Sequence, residues 1–545
     1  MMDFDKKIRF GVMLDGDTLE QWQLECVNLL TDNGVELVLV IKNGDKHKPY
    51  KSFADKLLHY PYRQILFRIW HRYFFKPDAK KLTAFRPERN GVEKSPAIMT
   101  VIPTIKGIST YFDEEDIAVI KSFGLDFILR FGFDIIRGEV LNCAKHGVWS
   151  FHHDDERVVR GGPPGFWEFM RKIPQNSVIL QQLTDELDKG MIISRLQFNT
   201  ELHSYKFHLN KLLKESAFMP LQACKRLIVN GKIEPELSQS NAPILHPPKN
   251  IQMLRYFWLC CWRKVSFHFN YLFRQEDWNV GYYIDNQSSP HWLNPPKSDY
   301  FADPFVISNE EDTYLFFEWF SNKNGKADLA VAKKSENFEV YHKITDFPEH
   351  RSYPFVFEYQ GVIYCVPEAN KTNKVSLYKF EDNKLTLDCD LLNGCYVDST
   401  LCHHDDGKWY LFTTPQKASH THLMIFVADE LRGTYRPHFN NPVKVDCSDS
   451  RMAGKIQKID GDLVRPGQNS TRHYGESITL NKILQLDEYQ YIEETIKEIK
   501  PDEKWKYNRG IHTINSDGGV TVFDAKRFAF SWQGLLQQIR QRTKV

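Results

Sequence analysis

Near the start of the chain the apolar positions change period twice. Ile8 to Leu14 is a short apolar run. Leu19, Trp22, Val27 and Leu30 then fall near helical spacing, Asn33-Gly34 marks a turn, and Val35 to Ile41 is a β-branched run. A continuous apolar stretch bounded by turns reads as a buried strand and a 3.6-residue period as a helix, so the order is strand, helix, strand. Leu125 to Phe133, "LDFILRFGF", reads as a further buried strand. Alternating strands and helices predict a mostly parallel α/β domain over residues 1–235. No GxGxxG follows the first strand, so the pattern gives no reason to expect a dinucleotide.

Beyond about residue 286 the rhythm changes to short strand-like runs broken by polar turns. "FADPFVISNEEDTYLFFEWF", "SYPFVFEYQGVIYCVPEAN" and "YVDSTLCHHDDGKWYLFTTP" share one form: a strand, a polar turn and an aromatic-rich second strand. Phe305 and Phe355 stand 50 positions apart, and Phe355 and Thr400 stand 45 apart. A multi-strand unit repeating at that period is the signature of propeller blades, and five fit the span 286–530. A β-sandwich is the competing fold. The expected class is therefore multi-domain, α/β followed by all-β, with residues 236–285 as an interdomain segment and 531–545 as a basic tail.

Two stretches stand apart. Residues 57–76 hold Tyr62, Leu66, Ile69 and Tyr73 at helical spacing, with Arg63, Arg68, Arg72 and Lys76 on another side and no acid. Such a basic amphipathic helix suits an anionic membrane surface. The more ordinary reading of the same pattern is a helix packed on its own domain with a solvated basic face. Met253 to Phe273 is aromatic, but Arg255, Arg263, Lys264 and His268 make it a poor membrane span. It reads as an interdomain helix.

Composition narrows the function class. The 545 residues are too many for one core and predict two or three domains. Lys and Arg (71) nearly balance Asp and Glu (70), so net charge offers no case for nucleic acid as a partner. Aromatic residues, at 14%, favour β structure or glycan contact. None of the ten cysteines forms a CxxC pair, so neither zinc nor a disulfide framework is expected. Free thiols and an N-terminus without an apolar signal segment make the cytoplasm the expected location, with peripheral membrane contact through 57–76 left open. The sequence is silent on oligomeric state.

The densest chemistry lies in "GVWSFHHDDERVVRGGPPGFWE", residues 147–168. His152 follows the apolar Val148-Trp149, where a strand would end, and carboxyl ends of parallel strands are where such folds place chemistry. Downstream, "LDKG" (187–190) sits between two strand-like runs. A histidine and a carboxylate brought together share a proton, which serves oxyanion stabilisation or proton relay.

In these stretches, "SFHHD" (150–154), "RGGPP" (160–164) and "LDKG", the chain resembles the formyltransferase family over about residues 8–230. The family pattern is Asn-x-His-Pro-Ser, a later Arg-Gly turn and a distal Leu-Asp-x-Gly. The resemblance implies His152 as catalytic histidine, Asp188 as its aspartate, and Phe133, Asp134 and Ile135 at the folate pocket. It also implies 10-formyltetrahydrofolate as cosubstrate and an amine acceptor. One departure stands out: Ser150 occupies the place of the family's asparagine. Losing an oxyanion donor costs roughly 3 kcal/mol of barrier. Ser150 acts through a water, His153 helps, or the site has drifted to another reaction or to none.

In the β half, carboxylates recur beside aromatic strands: Asp303 in "ADP", Glu368 in "PEAN", Asp398 in "VDST" and Glu476 in "YGES". Converging carboxylates suit sugar chemistry and sugar binding alike. This half resembles the five-bladed propellers of glycoside hydrolase families and the propeller module of plant glucosamine inositolphosphorylceramide transferases. The matched residues are Asp303, Asp398 and Glu476, with Glu368 as a rival for the acid. "HHDD" at 403–406 reads as a hairpin turn. The combined expectation is a formyltransferase-like enzyme acting on the amine of a nucleotide- or lipid-linked amino sugar in surface glycan synthesis. Its rivals are a glycosyl transferase or hydrolase with its chemistry in the propeller, and a glycan-binding protein with a decayed front domain.

Overall fold

The computed structural model describes residues 7–44, 61–87, 95–186, 190–238, 242–285, 287–297, 299–344, 347–369, 371–532 and 535–536. The chain divides into two compact units, Met1–Leu196 with Thr200–Val265, and Gln197–Asn199 with Ser266–Val545.

The front unit is built on one eight-stranded sheet. Its strands are β1 (Arg9–Asp15), β2 (Glu36–Asn43), β3 (Ala97–Val101), β4 (Phe127–Arg130), β5 (Val148–His152), β6 (Gln175–Gln182), β7 (Met191–Asn199) and β8 (Glu236–Leu237). Their order is β8-β7-β6-β5-β4-β1-β2-β3. The five strands from β5 to β3 are mutually parallel, and β6 turns antiparallel against β5. Sequence pattern and sheet agree here because parallel strands covered on both faces read as continuous apolar runs. Phe10, Phe127 and Trp149 stack across β1, β4 and β5, with ring centroids 5.4 and 3.9 Å apart. Helix α1 (Gln21–Asp32) follows β1 and buries Trp22, Leu24, Cys26, Val27 and Leu30. Parallel order places the carboxyl ends of β1, β4 and β5 (Asp15, Arg130 and His152) along one edge of the sheet.

Among the described residues, the back unit is a succession of five antiparallel sheets. The first joins both ends of the unit: Arg274–Ile284 pairs along its whole length with Val520–Phe530. That strand lies within the span 236–285 read from sequence as an interdomain segment. The next three sheets open with Asp299–Ser308, Ser352–Tyr359 and Tyr396–His403, the three repeats visible in sequence. Each opening strand breaks register at the same place, between Ala302 and Phe305, Ser352 and Phe355, and Val397 and Thr400. Asp303, Tyr353 and Asp398 stand in these bulges with positive φ of 50°, 44° and 50°. A bulge re-aims the side chain it carries, and a non-glycine residue held at positive φ needs its surroundings to hold it there.

Candidate functional site

In the front unit, β5 carries Ser150 and His152 two residues apart, hence on one face. Both line a cavity of about 190 Å³ with Arg130, Ile135, Arg137, Gln181, Asp185 and Gly190. Arg130 is the Cα partner of Ser150 across the β4–β5 pairing. Nε of Arg130 and Nε of Arg137 are buried, and neither has a hydrogen-bond partner among the described residues. Burial pulls the Arg130 pKa below its ordinary value, and the charges of Asp134 and Asp15 work against that pull. Arg130 was not singled out from sequence. Its signal was a cation in the otherwise apolar strand "FILR".

Asp188 lies outside the described residues. Of the three expected folate-pocket residues, Ile135 lines the cavity. Phe133 donates its backbone N–H to Asp15 Oδ1 at 3.0 Å and turns its ring into the core, 5.1 Å from Phe112. Asp134 is exposed, and both Phe133 and Asp134 have positive φ.

The stretch after His152 is not a solvated loop. His153 is buried between Phe151 and Trp22, and burial lowers its pKa to about 3, so it sits in the core as a neutral imidazole. The expectation that His153 assists Ser150 therefore fails: its ring packs on Trp22 and Phe151 and is not among the cavity's lining residues. Asp154 accepts from the Gly165 N–H at 2.6 Å. Asp155 binds Arg157 through two nitrogens, and Glu156 binds Arg195 through two more. These carboxylates anchor the loop that β5 feeds.

At the back unit, the bulges at Asp303 and Asp398 deliver their carboxylates to one buried polar cluster, and the bulge at Tyr353 adds its backbone N–H. Asp303 Oδ2 accepts from the Tyr353 N–H at 3.1 Å, and Asp303 Oδ1 accepts from Thr513 Oγ1 at 3.1 Å. The Asp303 N–H donates to Asp524 Oδ2 at 2.9 Å. His512 lies between these acids, with Nε2 3.1 Å from Asp303 Oδ1 and Nδ1 2.7 Å from Asp524 Oδ2. Burial disfavours its charge, but Asp524 and then Asp303 push its pKa up to about 10. Asp303, His512 and Asp524 offer three ligand atoms within 4.8 Å of one another, a set that suits a cation when the imidazole is neutral. As an imidazolium, His512 leaves no lone pair for an ion.

A second group lies in the same cluster. Asp398 receives the Arg451 guanidinium through Nε and Nη2, and Gln468 Nε2 at 3.0 Å. The Asp398 N–H donates to Glu368 Oε2 at 3.4 Å. Glu368 and Glu318 both have pKa values raised well above the usual range. Burial is the main cause, followed by the charge of Asp398 for Glu368 and of Asp303 for Glu318. In each pair burial and the neighbouring aspartate's charge both disfavour the charged form of the glutamate. Tyr474 is half-buried, with the Arg451 guanidinium 5.0 Å over its ring.

Asp303, Glu368 and Asp398, singled out from sequence, enter this network. Glu476 binds Arg472 and makes no hydrogen bond or ion pair to those three. Glu318, Tyr353, Arg451, His512 and Asp524 were missed. The repeated strand-opening form of "ADPFV", "SYPFV" and "VDSTL" was the one signal for Tyr353, since all three share the bulge.

Residues 287–522 match the family described as "Glucosamine inositolphosphorylceramide transferase 1, N-terminal". Glucosamine inositolphosphorylceramide transferase 1 of Arabidopsis thaliana is 33% identical over 208 residues, 36% of this chain and 27% of that protein. Methionyl-tRNA formyltransferase of Bacillus mycoides is 25% identical over 131 residues, 24% of this chain and 38% of that protein. Glycinamide ribonucleotide transformylase 1 from Symbiobacterium toebii is a solved structure with 16% identity, covering 43% of this chain and 95% of that chain at a TM-score of 0.28. This chain thus spans well under half of either curated relative. Both likenesses read from the residues are found, for the chain resembles the formyltransferases in one stretch and the N-terminal region of the glucosamine inositolphosphorylceramide transferases over residues 287–522.

Proposed function

We propose that the chain is a glycan-related transferase whose front unit moves a formyl group from 10-formyltetrahydrofolate to the amine of an amino sugar, nucleotide- or lipid-linked. In this reading the back unit is a five-bladed propeller that recognises the sugar. The observation that carries the proposal is the cavity at the carboxyl edge of the parallel strands, where His152, Ser150 and Arg130 meet. The donor supplies an activated formyl carbon. The acceptor nitrogen bonds to that carbon, the bond from carbon to the folate nitrogen breaks, and one proton passes from the new amide nitrogen to the leaving folate. His152 holds or moves that proton, Asp188 orients its imidazole, and Arg130 places a full positive charge where the tetrahedral oxyanion develops. A guanidinium beside Ser150 offsets the short reach of the serine hydroxyl.

The test is a binding titration with a stable formyltetrahydrofolate analogue, together with turnover on a panel of amino sugars. Saturable binding to wild type and to His152→Ala is expected, with turnover lost only in the variant. Absence of saturable binding to wild type would remove formyl transfer from consideration.

A second reading has its own support. The paired acids Glu318–Asp303 and Glu368–Asp398 each set a glutamate whose charged form burial disfavours beside an aspartate, two carboxyls in unequal environments of the kind that glycosyl chemistry uses. It predicts activity on a glycoside that Glu368→Gln or Glu318→Gln abolishes and His152→Ala leaves intact.

A further inference from the structure

The helix Asn250–Phe273 has two apolar faces where one would suffice. Met253, Tyr256, Leu259 and Arg263 form its inward side, packed in the front unit's core beside Phe166, Phe169 and Tyr205. Arg263 donates to the Phe169 carbonyl at 2.7 Å. The opposite side should be polar in a surface helix. Instead Ile251, Leu254, Trp258, Trp262 and Val265 recur at steps of 3, 4, 4 and 3. They are 72%, 56%, 63%, 59% and 63% exposed, and the two tryptophan rings stack in parallel, 6.4 Å apart. The stripe runs about 21 Å along the helix.

A second segment lies against this helix within the same unit. Tyr62–Gln64 is a 3₁₀ turn, Ile65–Ile69 an α-helical stretch and Trp70–Phe74 a wider turn. Residues 57–60 of the basic stretch read from sequence fall outside the described residues. Asn250 ties the two segments: its Nδ2 donates to the Tyr62 carbonyl at 2.9 Å, and its Oδ1 accepts from the Leu66 N–H at 3.1 Å. Trp70 packs on Tyr256, ring centroids 5.0 Å apart. Tyr62, Ile69, Tyr73 and Phe74 are exposed, and so are Arg63, Arg68, Arg72 and Lys76. Arg255 and Lys264 flank the helix stripe and are also exposed. Residues 61–77 and 249–275 contain no aspartate or glutamate.

We propose that these two segments form a docking surface for an anionic lipid bilayer, on which the helix lies in the plane of the interface. An apolar aromatic stripe with a predominantly basic border, in which Asp78 and Glu20 stand beside Arg72 and Lys76, is the composition of an interfacial helix, since tryptophan suits the headgroup boundary and each nearby lysine or arginine is drawn to anionic lipid. The charges argue against a second copy of this chain as the occupant. A two-fold contact through this patch would set Arg255 and Lys264 against an identical border in which basic residues outnumber the acids Asp78 and Glu20. No described helix is long and apolar enough to cross a membrane, so the binding is peripheral.

The test uses the full chain and vesicles of phosphatidylcholine with or without phosphatidylserine. Wild type is expected to co-sediment with the serine-containing vesicles and to detach as salt is raised. Trp258→Ser/Trp262→Ser and, separately, Arg255→Glu/Lys264→Glu should each weaken partition by roughly tenfold or more. Brominated phospholipid should quench the tryptophan fluorescence of wild type more than that of Trp258→Ser/Trp262→Ser, because those two of the chain's twelve tryptophans face the lipid. The proposal is overturned if wild type ignores anionic vesicles, if neither double variant changes partition, or if brominated lipid leaves the fluorescence unchanged. It is overturned too if wild type is a dimer that Trp258→Ser/Trp262→Ser dissociates while vesicles leave it intact.

Discussion

At the front cavity, Arg130 and Arg137 each keep a buried Nε without a described acceptor, whereas at the centre of the back unit Arg451 and His512 lie directly on Asp398, Asp303 and Asp524. Both regions bury cations, and burying a charge costs several kcal/mol unless a partner offsets it. The back cluster offsets that cost internally. In the front cavity the charges of Asp134 and Asp15 offset part of that cost for Arg130, and neither arginine Nε has a described acceptor. The difference separates a buried network whose cations sit on hydrogen-bonded carboxylates from a cavity whose arginine Nε atoms have no described acceptor.

The largest expected effect breaks the back cluster. Asp398→Ala removes both acceptors of Arg451 and leaves a buried cation unmatched, so denaturant titration should show a loss of about 3–5 kcal/mol. In the front cavity, Arg130→Leu should do the opposite to stability, leaving it equal or raised, while the proposed formyl transfer should fall about a hundredfold. A stability loss on Arg130→Leu would mean that the guanidinium is a structural group, and the contrast between the two regions would vanish. Ser150→Asn in that background adds an amide donor beside the vacated position and should restore part of the rate, read as kcat.

Glu368→Gln is a smaller perturbation. Burial and the charge of Asp398 both favour its neutral form, so the amide should change stability by about 1 kcal/mol or less. A loss as large as that of Asp398→Ala would show Glu368 to be ionised. The pH dependence is the finest probe. His512 titrates near 6.5 when unfolded and at about 10 when folded, so its contribution is complete below 6.5 and fades as pH rises through 10. Glu168 in the front unit is raised from 4.5 to about 7, chiefly by burial, so its stabilisation fades between those values as pH rises. Melting of His512→Gln and Glu168→Gln across pH 4 to 10 should flatten the alkaline and the acidic part of the profile respectively.

The strand that carries Ser150 and His152 was legible because an apolar run ending in polar residues marks a strand end without any knowledge of its neighbours. The three repeats were legible for the same reason, and so were Asp303 and Asp398 as their distinctive residues. Arg130 was not, because an arginine at a strand end is ordinary until its neighbour across the sheet is known to be Ser150. His153 was misjudged because two adjacent histidines look equivalent in sequence, while strand alternation sends one ring to the cavity and the other to Trp22. The exposed stripe on Asn250–Phe273 was read as interdomain packing, since an aromatic helix pattern does not say which of its faces finds a partner.

Taken alone, the order of residues determined the division into an α/β part and a repeating β part, the positions of most strands and the residue types available for chemistry. All of these depend on periodicities a few residues long. Only the tertiary structure decided which charges meet. Asp303 and Asp524 are 221 positions apart and share a hydrogen bond because the last strands of the back unit return to its first sheet. Whether a buried charge is neutralised or left open depends on such distant pairings, and local pattern carries no record of them.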